Sequence, residues 1–251
     1  MSKKLRTRAG PAPAVRPPPS RRPKNRLLAG LPPEDFRRLS PFLMTVPMHV
    51  KQVIYRNGEP MRSIYFPNGG VVSITTTLRD GTMVESSTVG DEGMLGIEAF
   101  FAADAVAAGD TFMQVPDTDA QSMKVDDFRR ALGHRGAFHD VIGRYAQATL
   151  AQLMQVAACN LCHSVQQRCA RWLLMTHDRM HEHDFTLSHE FLAIMLGAQR
   201  PTVSTVAAAL QAAGLIRYKY GRISVRDRKG LEAASCECYA VMRAHFDRLH
   251  G

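Results

Sequence analysis

Several features common in other protein classes are missing from this sequence of 251 residues. No apolar run approaches the roughly 18–20 residues that a membrane span requires. The charged N-terminus has no apolar core behind it, so we expect no signal peptide. The five cysteines are an odd number, which favours reduced thiols over a disulfide framework. We therefore expect a cytoplasmic protein with no membrane segment.

Catalytic signatures are also missing. No Ser-His-Asp arrangement, P-loop or H-E-x-x-H motif occurs, so the sequence predicts no enzyme. The paired acids Asp126 and Asp127 are interpreted as a helix start, with Asp126 as its cap. A hydrophobic content of 45% is enough for a buried core in one or two domains.

The positive charge is unevenly placed. Residues 1–26 hold nine Lys or Arg and no acid, which accounts for the whole net charge of +9. This segment is rich in Pro and Ala, lacks periodicity and is predicted to be disordered; a DNA-binding arm and an extension without a role remain equal alternatives. Residues 164–230 contain ten bases and five acids, a local excess that suits contact with phosphates.

The most informative stretch is 185–225, which predicts a helix, a tight turn, a second helix and a β-hairpin. Ser188 suits an N-cap, and Leu187 with Leu192 suits a hydrophobic staple over it. Gly197 suits the turn, since glycine enters positive φ freely. Pro201 suits the first turn of the second helix, and the hairpin turns at Tyr220-Gly221. The predicted buried stripe of the second helix is Val203, Val206, Ala207 and Leu210.

The polar face at the start of that second helix suits a recognition helix in a DNA major groove. Arg200 can pair with guanine and Gln199 with adenine, each through two hydrogen bonds. Basic residues on the hairpin suit phosphate contacts beside the groove. The candidate DNA-binding residues are Ser188, Gln199, Arg200, Thr202, Ser204, Thr205, Arg217, Lys219 and Arg222.

The run LGAQRPTVSTVAAALQAAGLI resembles the winged helix-turn-helix of the Crp/Fnr family of transcription regulators. The resemblance covers nearly all of the chain after about Leu27. It implies an α+β fold with a cyclic-nucleotide-binding-like antiparallel β-roll over 27–134, a dimerisation helix over 135–160 and a winged helix-turn-helix domain over 161–251. The residues agree, because short strands with Asn-Gly and Asp-Gly turns fill 46–125.

A long helix is predicted over 138–160, where an apolar row suits packing against a partner helix. The alternative is packing on the chain's own roll. The resemblance implies a homodimer that reads a palindromic operator through the helix near 199–210. Its partners would be double-stranded DNA and, for an activator, RNA polymerase. The row is Ile142, Ala146, Leu150, Leu153 and Ala157.

The ligand pocket departs from the family's pattern. Ile97 stands where relatives that bind cyclic nucleotides carry Glu, with Glu98 one place late. Gly109 and Asp110 replace the Arg-Ser pair that neutralises the phosphate, and an acid there would repel it. We therefore expect no cyclic nucleotide and no other known cofactor, although an unidentified small ligand stays open.

The cysteines and histidines carry the alternative hypothesis, a redox, haem or metal sensor with DNA binding as its output. Cys159, Cys162 and His163 match the C-x-x-C-H haem attachment pattern, but we expect no export and so no covalent haem. Cys159 and His163 are also spaced to share a metal, with Cys169 or the Cys236–Cys238 pair as further candidate ligands. Structural thiols and no metal are the preferred interpretation. A second candidate group, His177, His181 and His183, suits a helix end better than a metal.

Overall fold

A computed structural model describes residues 23–116, 118–180 and 184–249. Most of the predicted basic tail lies outside these ranges. Asn25, however, belongs to the fold: its fully buried side-chain amide donates to the backbone oxygens of Pro67 and Gly93, each at 2.8 Å. The folded roll therefore includes residues before the predicted boundary at Leu27, because an asparagine side chain anchors them.

The N-terminal half is the antiparallel roll that the sequence predicts. Its strands form two antiparallel sheets, ordered β1-β7-β3 and β2-β6-β4-β5. The elements are α1 (Arg26–Ala29), α2 (Pro33–Leu39), β1 (Met44–Met48), β2 (Val53–Tyr55), β3 (Ser63–Pro67), β4 (Val71–Thr77), β5 (Met83–Val89), α3 (Glu98–Phe101), β6 (Asp110–Val115), β7 (Thr118–Lys124) and α4 (Val125–Gly133).

Two details of the roll differ from the sequence-based expectation. The first individual strand that the sequence predicts begins at Val50, so strand β1 (Met44–Met48) is an addition. It contains Pro47 and lies at a sheet edge, where proline is tolerated. Helix α4 begins at Val125, so Asp126 lies in its first turn and does not cap it. The first-turn acids still favour the helix through its dipole.

The predicted long helix is confirmed as α5 (Ala137–Cys162). Its apolar row divides between two environments. Ile142 is buried in the core of the roll and Ala146 is also buried, whereas Leu150 and Leu153 are exposed. The first half of α5 thus packs on its own chain, and the second half carries an uncovered apolar face.

The C-terminal half contains α6 (Val165–Arg179), β8 (Asp184–Thr186), α7 (His189–Leu196), α8 (Arg200–Ala212), β9 (Ile216–Lys219), β10 (Arg222–Val225), α9 (Arg228–Ala234) and α10 (Cys238–Asp247). Its three strands form a sheet ordered β8-β10-β9. The sequence predicts a single closing helix from Leu231 to Leu249, and this prediction is wrong, because two helices, α9 and α10, occupy that stretch. Ser235 adopts an extended conformation (ψ 172°) and its hydroxyl donates to the oxygen of Glu232, which ends α9.

The two halves meet in buried polar contacts that α6 makes with β5 and with the turn after it. Trp172 Nε1 donates to Glu85 Oε1 at 2.8 Å. Arg179 Nη2 lies 2.7 Å from Glu92 Oε1, and both side chains are buried. Burial by itself would raise the pKa of Glu92, but the Arg179 guanidinium holds that pKa below its usual value. The two halves are therefore joined by directional bonds as well as by apolar packing.

Within the described ranges, no helix is both long and apolar enough to cross a membrane.

Candidate nucleic-acid interface

Helix α7 and the turn after it have the predicted geometry. Ser188 Oγ accepts a hydrogen bond from the backbone N–H of Phe191 at 3.1 Å, which caps α7. Leu187 and Leu192 are both buried in the same core, as a staple requires. Gly197 ends the helix at φ 56° and ψ 41°, in the left-handed region that favours glycine. The turn therefore sets the angle between α7 and α8.

Helix α8 presents a buried face and a polar face. The predicted stripe of Val203, Val206, Ala207 and Leu210 is entirely buried. At the N-terminal end of the helix, Gln199, Arg200, Thr202 and Thr205 are exposed together. Thr205 Oγ1 donates to the oxygen of Pro201 at 3.1 Å, a local bond within the helix. Four of the candidate DNA-binding residues thus share one open surface.

The hairpin is a basic wing beside that surface. Strands β9 and β10 pair in antiparallel register, with Arg222 opposite Lys219 and Ser224 opposite Arg217. Both turn residues have positive φ, 51° at Tyr220 and 73° at Gly221. All three predicted cations are exposed: Arg217, Lys219 and Arg222.

Ser188 and Ser204 are placed differently from the other candidates. The Ser188 hydroxyl caps α7. The Ser204 hydroxyl lies 2.9 Å from Nδ1 of His189, and its residue is half-buried. Both hydroxyls therefore help to hold the helix pair, although Ser188 is also exposed.

His189 is a residue that the sequence reasoning missed. Besides its bond to Ser204, its ring stacks on Tyr218 of the wing with centroids 4.3 Å apart. Burial, with the charge of Arg200, lowers the pKa of His189, which favours the neutral ring. This histidine connects α7, α8 and the wing. Its position directly after the Ser188 cap was the available signal, but the partners are 15 and 29 residues away.

Arg168 is a second missed residue. Its Nη1 donates to the backbone oxygen of Leu196 at 2.8 Å, at the end of α7. The same atom lies 3.2 Å from Asn160 Oδ1 on α5. A last-turn carbonyl has no partner within its own helix, so Arg168 stabilises the end of α7 and connects it to the long helix.

The Crp-like helix-turn-helix domain profile matches residues 167–234. The curated transcriptional regulator LdrP of Thermus thermophilus is 27% identical over 197 residues, covering 72% of this chain and 92% of LdrP. The chain is a Crp/Fnr-type transcription regulator. The helix-turn-helix described above lies within the matched DNA-binding domain.

Solved structures agree with the whole architecture. A CRP-family transcriptional regulator from Thermus thermophilus superposes with a TM-score of 0.62 at 26% identity, covering 75% of this chain and 95% of that one. FixK2 from Bradyrhizobium japonicum gives a TM-score of 0.63 at 19% identity, covering 77% and 98%. The similarity to FixK2 shows the fold alone. That fold combines a roll, a long helix and a winged domain, as this chain does.

The site in the roll where cyclic-nucleotide relatives hold phosphate has its own hydrogen bonds here. Asp110 Oδ1 accepts from the N–H of Asn57 at 3.0 Å, and its Oδ2 accepts from Thr77 Oγ1 at 3.3 Å. A Cβ at Gly109 would lie 2.6 Å from the oxygen of Thr75, so this backbone excludes an arginine there. Glu98 Oε1 accepts the N–H of Ala108 at 3.3 Å. These hydrogen bonds connect the segment around Asp110 to Asn57, Thr77 and Glu98.

The two cysteines of the C-x-x-C-H pattern differ in exposure. Cys159 is fully buried, whereas Cys162 is exposed. His163 caps the end of α5 and faces Cys238 and Glu237 of α10 and its N-cap. In the second candidate group, Nδ1 of His177 lies 2.8 Å from Arg228 Nη1; His181 and His183 lie outside the described residues.

Proposed function

We propose that the chain acts as a homodimer that reads a palindromic operator through the exposed start of α8. The proposal rests on the exposure of four polar residues at the start of α8: Gln199, Arg200, Thr202 and Thr205. In this proposal Arg200 and Gln199 contact base edges. The two threonines and Ser204 support the helix in the groove, and Ser188 lies at the edge of the same surface.

The wing supplies the phosphate contacts in this proposal. Arg217, Lys219 and Arg222 project from the hairpin with no acid between them in the sequence. Phosphate contacts fix the orientation of a protein on the duplex without reading sequence, so these cations position α8 for base contact.

The uncovered face of α5 supports the dimer. Leu150 is 60% exposed, Met154 68% and Leu161 88%, and they follow one another at spacings of four and seven residues. Such a row on one helix face suits a second copy of the same helix across a two-fold axis. A symmetric pair would present two copies of α8 to the two halves of a palindrome.

The roll, on this proposal, does not respond to cyclic nucleotides. Asp110 and the crowded backbone at Gly109 stand where a phosphate would need a cation. If the regulator is an activator, RNA polymerase is its further partner.

The test is operator binding by an Arg200→Ala variant. A duplex selected by the wild-type protein from a randomised palindrome library is titrated by fluorescence anisotropy. The loss of one bidentate contact, about 1–3 kcal/mol in each half-site, should weaken binding by roughly 30-fold or more in the dimer. Arg248→Ala, which removes an exposed arginine from the end of the chain, is the matched control. An unchanged affinity of Arg200→Ala beside an unchanged control would contradict the assignment.

A further inference from the structure

Four potential metal ligands meet where α5 ends and where α9 gives way to α10. Cys159 lies in the last turn of α5 and His163 directly follows that helix. Cys236 and Cys238 flank Glu237 at the break between α9 and α10. The three sulfur atoms and a ring nitrogen of His163 all lie within 4.8 Å of one another.

The distances suit a shared ion better than a disulfide. Cys159 Sγ is 3.5 Å from Cys236 Sγ, and Cys238 Sγ is 3.5 Å from His163 Nδ1. A disulfide would bring two sulfurs to about 2.05 Å. A tetrahedral zinc ion with bonds of about 2.0–2.3 Å places its ligand atoms roughly 3.3–3.8 Å apart. The two measured separations fall inside that interval.

The ligand chemistry identifies the class of metal. Three thiolates and one imidazole form a Cys₃His set, which is typical of closed structural zinc sites. Soft sulfur donors disfavour Mg²⁺ and Ca²⁺, which prefer oxygen. All three cysteines are at most 4% exposed, so the ion would be shielded from water.

The groups around the four ligands are those expected around a metal site. Glu237 Oε2 lies 3.2 Å from Nε2 of His163, which orients the ring with Nδ1 towards the sulfurs. Gln155 Nε2 donates to Cys238 Sγ at 3.0 Å, a bond that suits a thiolate. A carboxylate behind a ligating histidine is a common feature of zinc proteins.

The charges nearby agree with this assignment. A Zn²⁺ ion bound by three thiolates and a neutral imidazole carries one net negative charge. The buried guanidinium of Arg171 acts electrostatically on Cys159. Its Nη1 contacts the sulfurs of Met175 and Met242, and among the described residues its Nε has no hydrogen-bond partner. A negative cluster would balance this cation.

We propose that Cys159, His163, Cys236 and Cys238 bind one Zn²⁺ ion that fastens the end of α5 to the start of α10. Binding releases the three thiol protons to solvent and involves no oxidation. The ion joins the helix proposed for dimerisation to the DNA-binding half of the chain. Its presence is independent of which residues contact DNA.

Metal content of the full chain gives the first test. Protein purified under reducing conditions, treated with a strong chelator and reloaded with Zn²⁺ should hold one zinc per chain by plasma mass spectrometry. Co²⁺ in its place should give the intense visible bands of a tetrahedral site and a thiolate charge-transfer band. A metal-free protein after reloading, or an iron–sulfur spectrum, would overturn the proposal.

Variants test the ligand assignment. Cys236→Ser and Cys238→Ser should each weaken Zn²⁺ binding at least ~100-fold in competition with a chromophoric chelator, whereas Cys162→Ser, outside the cluster, should retain it. Glu237→Gln changes an exposed group and leaves all four ligands, so it avoids loss of folding and should weaken binding by about 10–100-fold. Equal zinc affinity in Cys236→Ser and Cys162→Ser would refute the site.

Discussion

Replacing Glu85 with glutamine tests the buried contact between the roll and the DNA-binding half. Glu85 Oε1 accepts from Trp172 Nε1, and Glu85 Oε2 lies 2.8 Å from Ser73 Oγ. Ser73 Oγ in turn lies 2.7 Å from Gln114 Oε1. A protonated Glu85 can donate to Ser73, which then donates to Gln114 Oε1, so the carboxyl proton and the Ser73 hydroxyl proton each have an acceptor. When Glu85 is ionised, the Ser73 hydroxyl donates to the Glu85 carboxylate instead, and Gln114 Oε1 loses this hydrogen bond.

Burial raises the pKa of Glu85 from 4.5 to about 7, although Ser73, Trp172 and the charges of Arg171 and Arg179 oppose the change. The folded protein therefore binds this proton more tightly than the unfolded chain does between these two pH values. The free energy of unfolding should fall as pH rises from about 4.5 to about 7 and then level off. At about 1.4 kcal/mol for each pH unit, the loss is about 3 kcal/mol.

Glutamine can accept from Trp172 and donate to Ser73 without carrying a charge. Glu85→Gln should therefore remove this pH dependence and exceed the wild type at about pH 8 by up to about 3 kcal/mol. Urea titrations from about pH 5 to 8, followed by the fluorescence of the single tryptophan, Trp172, measure both effects. Glu59→Gln is the control, since Glu59 is exposed. A Glu85→Gln protein that keeps the wild-type pH dependence would refute this reasoning.

Three further expectations concern the dimer, the contact between the halves and the roll. The double substitution Leu150→Glu and Leu153→Glu should give a monomer in analytical ultracentrifugation. A symmetric interface would lose two leucines from each protomer, four in all, and each contributes about 2 kcal/mol of apolar burial. A dimer that survives the change would place the interface elsewhere. Arg179→Ala should lower the free energy of unfolding in urea by about 3–5 kcal/mol, because Glu92 stays buried without its partner; adding Glu92→Gln should restore part of the loss, and no recovery would contradict the pairing. Cyclic AMP should leave DNA affinity in anisotropy titrations unchanged, since Asp110 repels phosphate; a tenfold change would count against this interpretation.

Local signals carried most of the information about the DNA-binding half. The Ser188 cap, Gly197, Pro201 and the apolar spacing of α8 each act within a few residues, so the sequence alone placed both helices and the turn. The hairpin followed in the same way from Tyr220-Gly221. Two features with weak local signals were not predicted from the sequence. One is strand β8, which has only three residues, and the other is the break between α9 and α10, which depends on Ser235.

The resemblance to Crp/Fnr regulators predicted the β-roll and the loss of the phosphate-binding Arg-Ser pair at Gly109 and Asp110. The structure added the physical reason, since the carbonyl of Thr75 leaves no room for a side chain there. The exposure of the second half of α5 was also visible only in the tertiary structure. The apolar row from Ile142 to Ala157 reads as continuous, but only its first part is covered by the roll.

What the sequence by itself determined is the order of the elements and the polar face of α8, because helix caps, turns and periodicity are properties of neighbouring residues. Tertiary structure alone decided which distant side chains meet. Cys159 and Cys236 are 77 residues apart, and Glu85 and Trp172 are 87 apart. Nothing in the local pattern of either residue specifies its partner, since such contacts arise only when packed helices and strands bring remote segments together.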